Sequence, residues 1–182
     1  MFLLGGVLSQ RRTDSPDCAL NNEKTVEDCC KMPYLVKAEL HEYCRTANPG
    51  NPNVVKTDGC CVARCILTTT EVFKNNTIDS EFARVFFNVT VGSDSQFSGP
   101  LIDAIIEDCA EQINADDELE VPPLSASTGV EGCSMRPELF FNCVALQMFQ
   151  QCPSSVWTDD PGCDALMVKA KSGACFYESL AG

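Results

Sequence analysis

Thirteen cysteines in 182 residues constrain this chain more than any other feature, and three of them crowd into one heptapeptide, GCCVARC at 59–65. A domain of this length buries roughly 70% of the unfolded chain's surface and can fold without cross-links. Cysteine at about 7% of the sequence therefore exceeds what marginal stability demands. It points to an oxidising compartment, where thiols pair. An odd number leaves at least one thiol outside the intramolecular bonds, or one engaged between molecules. Two N-glycosylation sequons, Asn75-Asn76-Thr77 and Asn88-Val89-Thr90, agree with an extracellular destination.

The cysteines are not spaced as metal or redox ligands. A structural zinc site uses thiols two residues apart, usually with histidine, but the chain has no C-x-x-C and a single histidine, His41. Thioredoxin-type chemistry needs the same missing motif. A Ser–His–Asp or Cys–His set would have to use His41, and no G-x-S-x-G elbow is present. The chain reads as a non-enzyme, with no catalytic residues, no metal ligands and no cofactor assigned.

Charge narrows the partners. With 26 acids against 13 bases, the formal charge is −13, and such a surface repels phosphate backbones and anionic bilayers. Nucleic acid is excluded as a partner on that ground. No apolar stretch approaches the ~20 residues of a spanning helix, so no membrane span is expected. The opening MFLLGGVLSQ is apolar or glycine through its first eight residues, with no basic residue before it. Residues 1–10 are either the remnant of a secretion signal or a hydrophobic arm that a second copy of the chain could bury. A homodimer therefore stays open. The run Asp116-Asp117-Glu118-Leu119-Glu120 lacks the alternating oxygen ligands and central glycine of a calcium loop, and reads as a solvated linker.

Periodicity predicts an all-helical chain. PYLVKAELHEYC (33–44) starts on a first-turn proline, and 45–59 is turn chemistry. A helix follows from Cys60. Asp79 or Ser80 caps another, bearing Phe82, Val85, Phe86 and Val89 at i, i+3, i+4 and i+7; its end, FFNVTV, alternates like a strand as well. Gly99-Pro100 opens an amphipathic helix with Leu101, Ile102, Ile105, Ile106, Cys109 and Ile113 inward. Residues 114–132 are too polar and too rich in Pro and Gly for an element. Arg136-Pro137 starts a helix with Phe140, Phe141, Val144, Met148 and Phe149 on one side, ending by Cys152 because Pro153 follows. A short helix in 164–179, breaking at Gly173, closes the chain.

Helical geometry restricts what GCCVARC can do. Cys61 and Cys65 lie one above the other on one face, placed to reach neighbouring elements rather than each other. Cys60 lies about 100° round the helix and can serve a third neighbour, such as an N-terminal segment. Cys143 and Cys152, nine apart, point to opposite sides and must reach different partners. The heptapeptide thus reads as a junction where helices are riveted. Each bond contributes roughly 2–4 kcal/mol. A shell held covalently does not need a dense centre, so it tolerates an apolar cavity for a small hydrophobic molecule.

These spacings carry a resemblance. Cys61-x3-Cys65 and Cys143-x8-Cys152, with Cys133 as fourth cysteine and Cys30 or Cys29 as first, resemble the insect odorant-binding proteins. The extra cysteines and Pro153 directly after Cys152 look like the Plus-C subclass, the match covering roughly residues 29–152. The resemblance implies bonds Cys30–Cys65, Cys61–Cys143 and Cys133–Cys152. It implies an all-α, compact, disulfide-linked helical domain enclosing a hydrophobic cavity: a core at 29–152, an N-terminal extension at 1–28 and a C-terminal extension at 153–182 packed on the core. Two departures stand out. The stretch from Cys65 to Cys133 is longer than in six-cysteine members and contains Cys109, and the vicinal Cys29-Cys30 leaves the first position ambiguous.

The function implied is a secreted carrier that takes odorants or similar volatiles, non-covalently, through extracellular lymph, with a transient receptor contact open to it. Its partner is a small hydrophobic ligand. Candidate lining residues are Phe82, Phe86, Ile105, Ile106, Phe141, Val144, Met148, Leu166 and Phe176, each of which serves equally well as plain core. The competing reading is a disulfide-rich extracellular interaction or inhibitor module with no pocket; ligand-dependent thermal stabilisation separates the two. With His41 alone, a histidine-cluster pH switch is ruled out.

Overall fold

The computed structural model describes residues 24–47, 58–92, 96–116 and 133–172. Among these residues the chain forms seven helices and one small hairpin: α1 (Val26–Cys29), α2 (Ala38–Ala47), α3 (Asp58–Thr69), β1 (Phe73–Lys74), β2 (Thr77–Ile78), α4 (Ser80–Val91), α5 (Gly99–Asn114), α6 (Arg136–Gln150) and α7 (Pro161–Lys171). The mostly helical expectation holds. The described residues fall into two compact units, those within Pro33–Val144 and those within Met1–Met32 and Ala145–Gly182, with α6 contributing to both.

In the larger unit, α2 packs on α3 and α4 packs on α5. The helix expected from Pro33 begins only at Ala38, and most of the expected loop 45–59 lies outside the described residues. The ambiguous FFNVTV resolves as helix, since α4 runs to Val91. Its start is set by Asp79, whose Oδ1 accepts from the N–H groups of Glu81 and Phe82 at 3.0 and 3.1 Å. The side chain thus satisfies donors that have no carbonyl partner within the first turn. Ser98 caps α5 in the same way, with Pro100 in the first turn, where a missing N–H costs nothing.

The hairpin was not foreseen. Glu71, at φ 63°, turns the chain out of α3, and Phe73 then pairs with Ile78 and Lys74 with Thr77. The connection is Asn75-Asn76, with φ of 51° and 60°, the two left-handed residues of a tight hairpin turn that asparagine tolerates. Asn114, at the end of α5, extends the pairing with a side chain. Its Oδ1 accepts from the Ile78 N–H and its Nδ2 donates to the Ile78 carbonyl, both at 2.8 Å.

In the smaller unit, α1 packs against α7. Thr25 and Asp28 form a reciprocal cap on α1, and Cys30 pairs with Trp157 in an isolated antiparallel bridge. Thr158 adds bonds of 2.8 Å from its N–H to the Cys29 carbonyl and from its hydroxyl to the Asp28 carbonyl. The buried apolar side chains here are Val26, Ala145, Met148, Phe149, Leu166 and Ala170, with Cys29, Cys30 and Cys163. The final helix sits at Pro161–Lys171, a few residues earlier than expected, and the expected break at Gly173 lies outside the described residues.

Five disulfides join the described elements: Cys29–Cys163, Cys30–Cys152, Cys44–Cys65, Cys61–Cys133 and Cys109–Cys143. All six cysteines expected to bond do so, but the pairing carried over from six-cysteine relatives is overturned. Cys65 takes Cys44 rather than Cys30, Cys143 takes Cys109 rather than Cys61, and Cys133 takes Cys61 rather than Cys152. Two of the additional cysteines take over the displaced ends. Cys44 on α2 and Cys109 on α5 lie 21 and 34 residues from their partners and supply nearer ends, so Cys30, Cys61, Cys133 and Cys152 pair among themselves.

Candidate ligand site

The junction on α3 fixes what surrounds it. Cys61 and Cys65, on one face as their spacing requires, reach Cys133 and Cys44 respectively and not each other. Cys143 and Cys152 likewise find different partners, on α5 and beside α1. The N-terminal segment offered as a partner for Cys60, residues 1–23, lies outside the described residues. Cys60 is buried and takes part in none of these five bonds. The sulfurs of Cys60, Cys61 and Cys133 lie within 4.8 Å of one another. Two of the three sulfurs, those of Cys61 and Cys133, are spent in a covalent bond with each other, so the group does not offer three thiolate ligands.

Just beyond Cys133 the chain is locked onto the hairpin and α5. The Ser134 hydroxyl donates to Asn76 Oδ1 at 3.1 Å. Arg136, 5% exposed, donates to the carbonyls of Ile113 and Asp116. Those carbonyls close the C-terminal end of α5, where the helix dipole favours a cation, which is why a guanidinium is held there among apolar neighbours. Its Nε–H has no partner among the described residues. Start of α6 and end of α5 are thereby held together, and the apolar side of α6 is aimed at α4.

The apolar centre of this unit is aromatic. Phe87 is fully buried, with its ring centroid 5.0 Å from Phe86, 6.1 Å from Phe140 and 6.0 Å from Phe141, all edge-on. Such pairs contribute about 0.5–1.5 kcal/mol each beyond area burial. Phe140 is closed from solvent, whereas Phe86 and Phe141 are half-buried. Ile105 and Ile106 are buried on α5, and Val144 is buried on α6. The bonds of Arg84 to Glu107 at 2.9 Å and of Asn88 to Asp103 at 3.0 Å bind the outer faces of α4 and α5.

Of the nine candidate lining residues, Phe86 and Phe141 therefore meet at the Phe87 ring, and Ile105, Ile106 and Val144 are buried in the same unit. Phe82 stands apart, 40% exposed, with Lys74 Nζ 4.4 Å over its ring. Met148 and Leu166 are buried in the smaller unit. Phe176 lies outside the described residues. The buried row of α4 is Ala83, Phe87 and Val91, not the row of Phe82, Val85 and Val89; Val85 and Val89 are 65% and 61% exposed. Both rows fit a 3.6-residue period. The buried row holds the small Ala83 and seats Phe87 among Phe86, Phe140 and Phe141.

Titration does not mark the cluster. The carboxyls held below their ordinary range are surface groups: Asp28 by the Thr25 backbone and hydroxyl, Glu42 by Arg45, and Asp160 by the Gly162 N–H and then Lys24. The arrangement offers apolar contact rather than acid–base chemistry. Among the described residues no helix is long and apolar enough to cross a membrane.

Similarity to known proteins bears on the same residues. Residues 33–169 match the AgamOBP47-like family model. The chain is 29% identical over 178 residues to general odorant-binding protein 67 of Anopheles gambiae, covering 94% of this chain and 84% of the relative. It is 25% identical over 157 residues to odorant-binding protein 47 of the same mosquito, covering 79% of this chain and 66% of the relative. With its helical fold and its extra disulfides, the chain belongs to the AgamOBP47-like family, within the Plus-C odorant-binding proteins of insects.

Proposed function

We propose that this protein is a secreted carrier that binds small hydrophobic ligands, odorants or similar volatiles, and conveys them through extracellular lymph without covalent chemistry. Residues 29–152 form the carrier core and 1–28 and 153–182 its extensions. Phe86, Ile105, Ile106, Phe141 and Val144 supply contact in the larger unit. Phe82 and Phe176 are further candidate contacts, as are Met148 and Leu166 within the smaller unit by itself. Homodimerisation and a transient receptor contact belong to the same reading.

The observation that carries it is the mixture of closed and half-open rings around Phe87 in a member of an odorant-binding family. Half-buried Phe86 and Phe141 present apolar edges that can turn toward a guest, while Phe87 and Phe140 hold their backing. Ligand sites of this class are mostly apolar, with few polar groups. Titration of the full chain with a lipophilic N-phenylnaphthylamine probe tests it. Saturable binding, accompanied by a rise in melting temperature and weakened by Phe141→Ala, is expected. Absence of saturable uptake of any lipophilic probe by folded protein would remove the reading. The exposed row of Phe82, Val85 and Val89 on α4 supports the second one, an interaction module, which then takes its place.

A further inference from the structure

The two sequons occupy opposite kinds of structure, and the function above uses neither. Asn88 and Thr90 lie on α4. Two residues apart on a helix, their side chains diverge by about 200°, so amide and hydroxyl cannot meet. Both are also engaged: Asn88 Nδ2 donates to Asp103 Oδ1 at 3.0 Å, and the Thr90 hydroxyl donates to the Phe86 carbonyl at 2.6 Å. A sugar on Asn88 would stand at the α4–α5 contact.

Asn75 is the reverse case. It is the first of two left-handed residues at the tip of the β1–β2 hairpin, φ 51°, and its side chain is exposed with no hydrogen-bond partner among the described residues. Thr77 is exposed as well, and its hydroxyl turns back to the Asn75 carbonyl at 3.4 Å. The turn thus folds the hydroxyl toward the asparagine it must assist. The neighbouring Asn76 is instead consumed, its Oδ1 accepting from Ser134. The acceptor unit spans six residues, Phe73 to Ile78, so its geometry is local.

We propose that Asn75 is an N-glycosylation site and that Asn88 is left bare. The donor is an oligosaccharide on a lipid-linked diphosphate. The Asn75 amide nitrogen forms a bond to the anomeric carbon and loses a proton, while the bond from that carbon to the diphosphate oxygen breaks and the lipid diphosphate departs. The site rests on the secretory route argued above.

The test is secretion of the full chain from insect cells, followed by intact mass and peptide mapping. Enzymatic removal of N-glycans in isotopically heavy water marks each formerly glycosylated asparagine as labelled aspartate. The expected result is label at Asn75 alone, lost in Asn75→Gln and in Thr77→Ala, retained in Thr77→Ser, and unchanged by Asn88→Gln. Thr77→Ala keeps the turn asparagines, so it answers even if Asn75→Gln folds poorly. Unlabelled Asn75, or label at Asn88, in protein whose disulfides have formed overturns the assignment while leaving the secretory route intact. Protein released with its cysteines reduced and Asn75 bare overturns the route, and the site with it.

Discussion

Cys29 and Cys30 are adjacent, and both bonds from them stay within the smaller unit, at Cys163 and Cys152. Sequence separations of 134 and 122 residues suggest that each restrains the unfolded chain by about 5 kcal/mol, if stabilisation follows the entropy of loop closure. The bonds share a path, however. With Cys30–Cys152 in place, Cys29–Cys163 closes only one step from Cys29 to Cys30 and eleven from Cys152 to Cys163, which reduces its contribution to about 3 kcal/mol. The reciprocal holds for Cys30–Cys152. When one bond is gone, the other closes a path shortened by Cys44–Cys65 and Cys61–Cys133. For Cys30–Cys152 that path runs 14 residues to Cys44, 4 from Cys65 to Cys61 and 19 from Cys133 to Cys152, worth about 4 kcal/mol.

The perturbation is therefore a cycle of paired replacements, Cys29→Ala/Cys163→Ala, Cys30→Ala/Cys152→Ala, and all four together. Equilibrium urea unfolding reports each, read by the single Trp157, which lies 5.9 Å from the Phe149 ring and bridges Cys30. Sulfate in the buffer strengthens burial and helps keep the fourfold variant folded. Each pair should cost about 3 kcal/mol alone, a fall of about 6–12 °C in melting temperature for a chain of this size. The second removal should cost about 1 kcal/mol more than the first. Packing lost with the sulfurs is the same in both backgrounds and cancels from that difference. Equal costs in the two backgrounds, or about 5 kcal/mol for a single pair, would refute the shared path.

Other elements give sharper single-residue outcomes. Asn114→Ala strips both polar groups of nearly buried Ile78 of their partners and should cost about 2–4 kcal/mol by urea unfolding; a loss under 1 kcal/mol would mean that water replaces the amide. Phe87→Ala removes the hub of three ring contacts and should cost about 3–5 kcal/mol, against under 1 for Val85→Ala on the exposed row of the same helix. Asp160 caps α7 through Gly162 N–H and pairs with Lys24, which lower its pKa. That contribution is complete above the ordinary aspartate range and is lost as pH falls through the lowered folded value. Asp160→Asn, itself a good cap, should flatten the acid side of a urea-midpoint profile while changing neutral stability little. Should a pH-dependent release of ligand exist, His41→Ala is expected to leave it in place, since His41 sits exposed on α2; its abolition would show a histidine switch.

What the sequence discloses and what it conceals divides along a physical line. α5 was legible from Gly99 to Ile113, one residue short of its end, because every signal agreed: a proline in the first turn, an isoleucine row at helical spacing and acids opposite. The face of α4 was not, because residues 82–91 are apolar on two sides and periodicity fits either. The neighbours make the choice: α6 sets Phe140 and Phe141 around Phe87, while α5 holds Arg84 and Asn88 through Glu107 and Asp103. The hairpin escaped because two-residue strands carry no periodicity. Its one signal was Asn75-Asn76, a pair suited to left-handed backbone. Of the candidate lining, the rings on α4 and α6 were recognisable as apolar residues, but which of them share one cluster depends on how the helices cross.

Disulfide pairing lies furthest from the sequence. Helical spacing settles which way a cysteine points, and on that ground Cys61 and Cys65 were rightly separated. It says nothing of what stands opposite, and thirteen cysteines offer many near-equivalent partners. The six-cysteine pattern supplied an answer for a chain in which Cys44 and Cys109 do not exist. Adding them gives Cys65 and Cys143 partners across shorter loops, where closure costs the folding chain less, and displaces the rest in turn. The spacing of a cysteine framework can thus persist while its connectivity changes, because spacing follows from where helices run and connectivity from which thiols meet first.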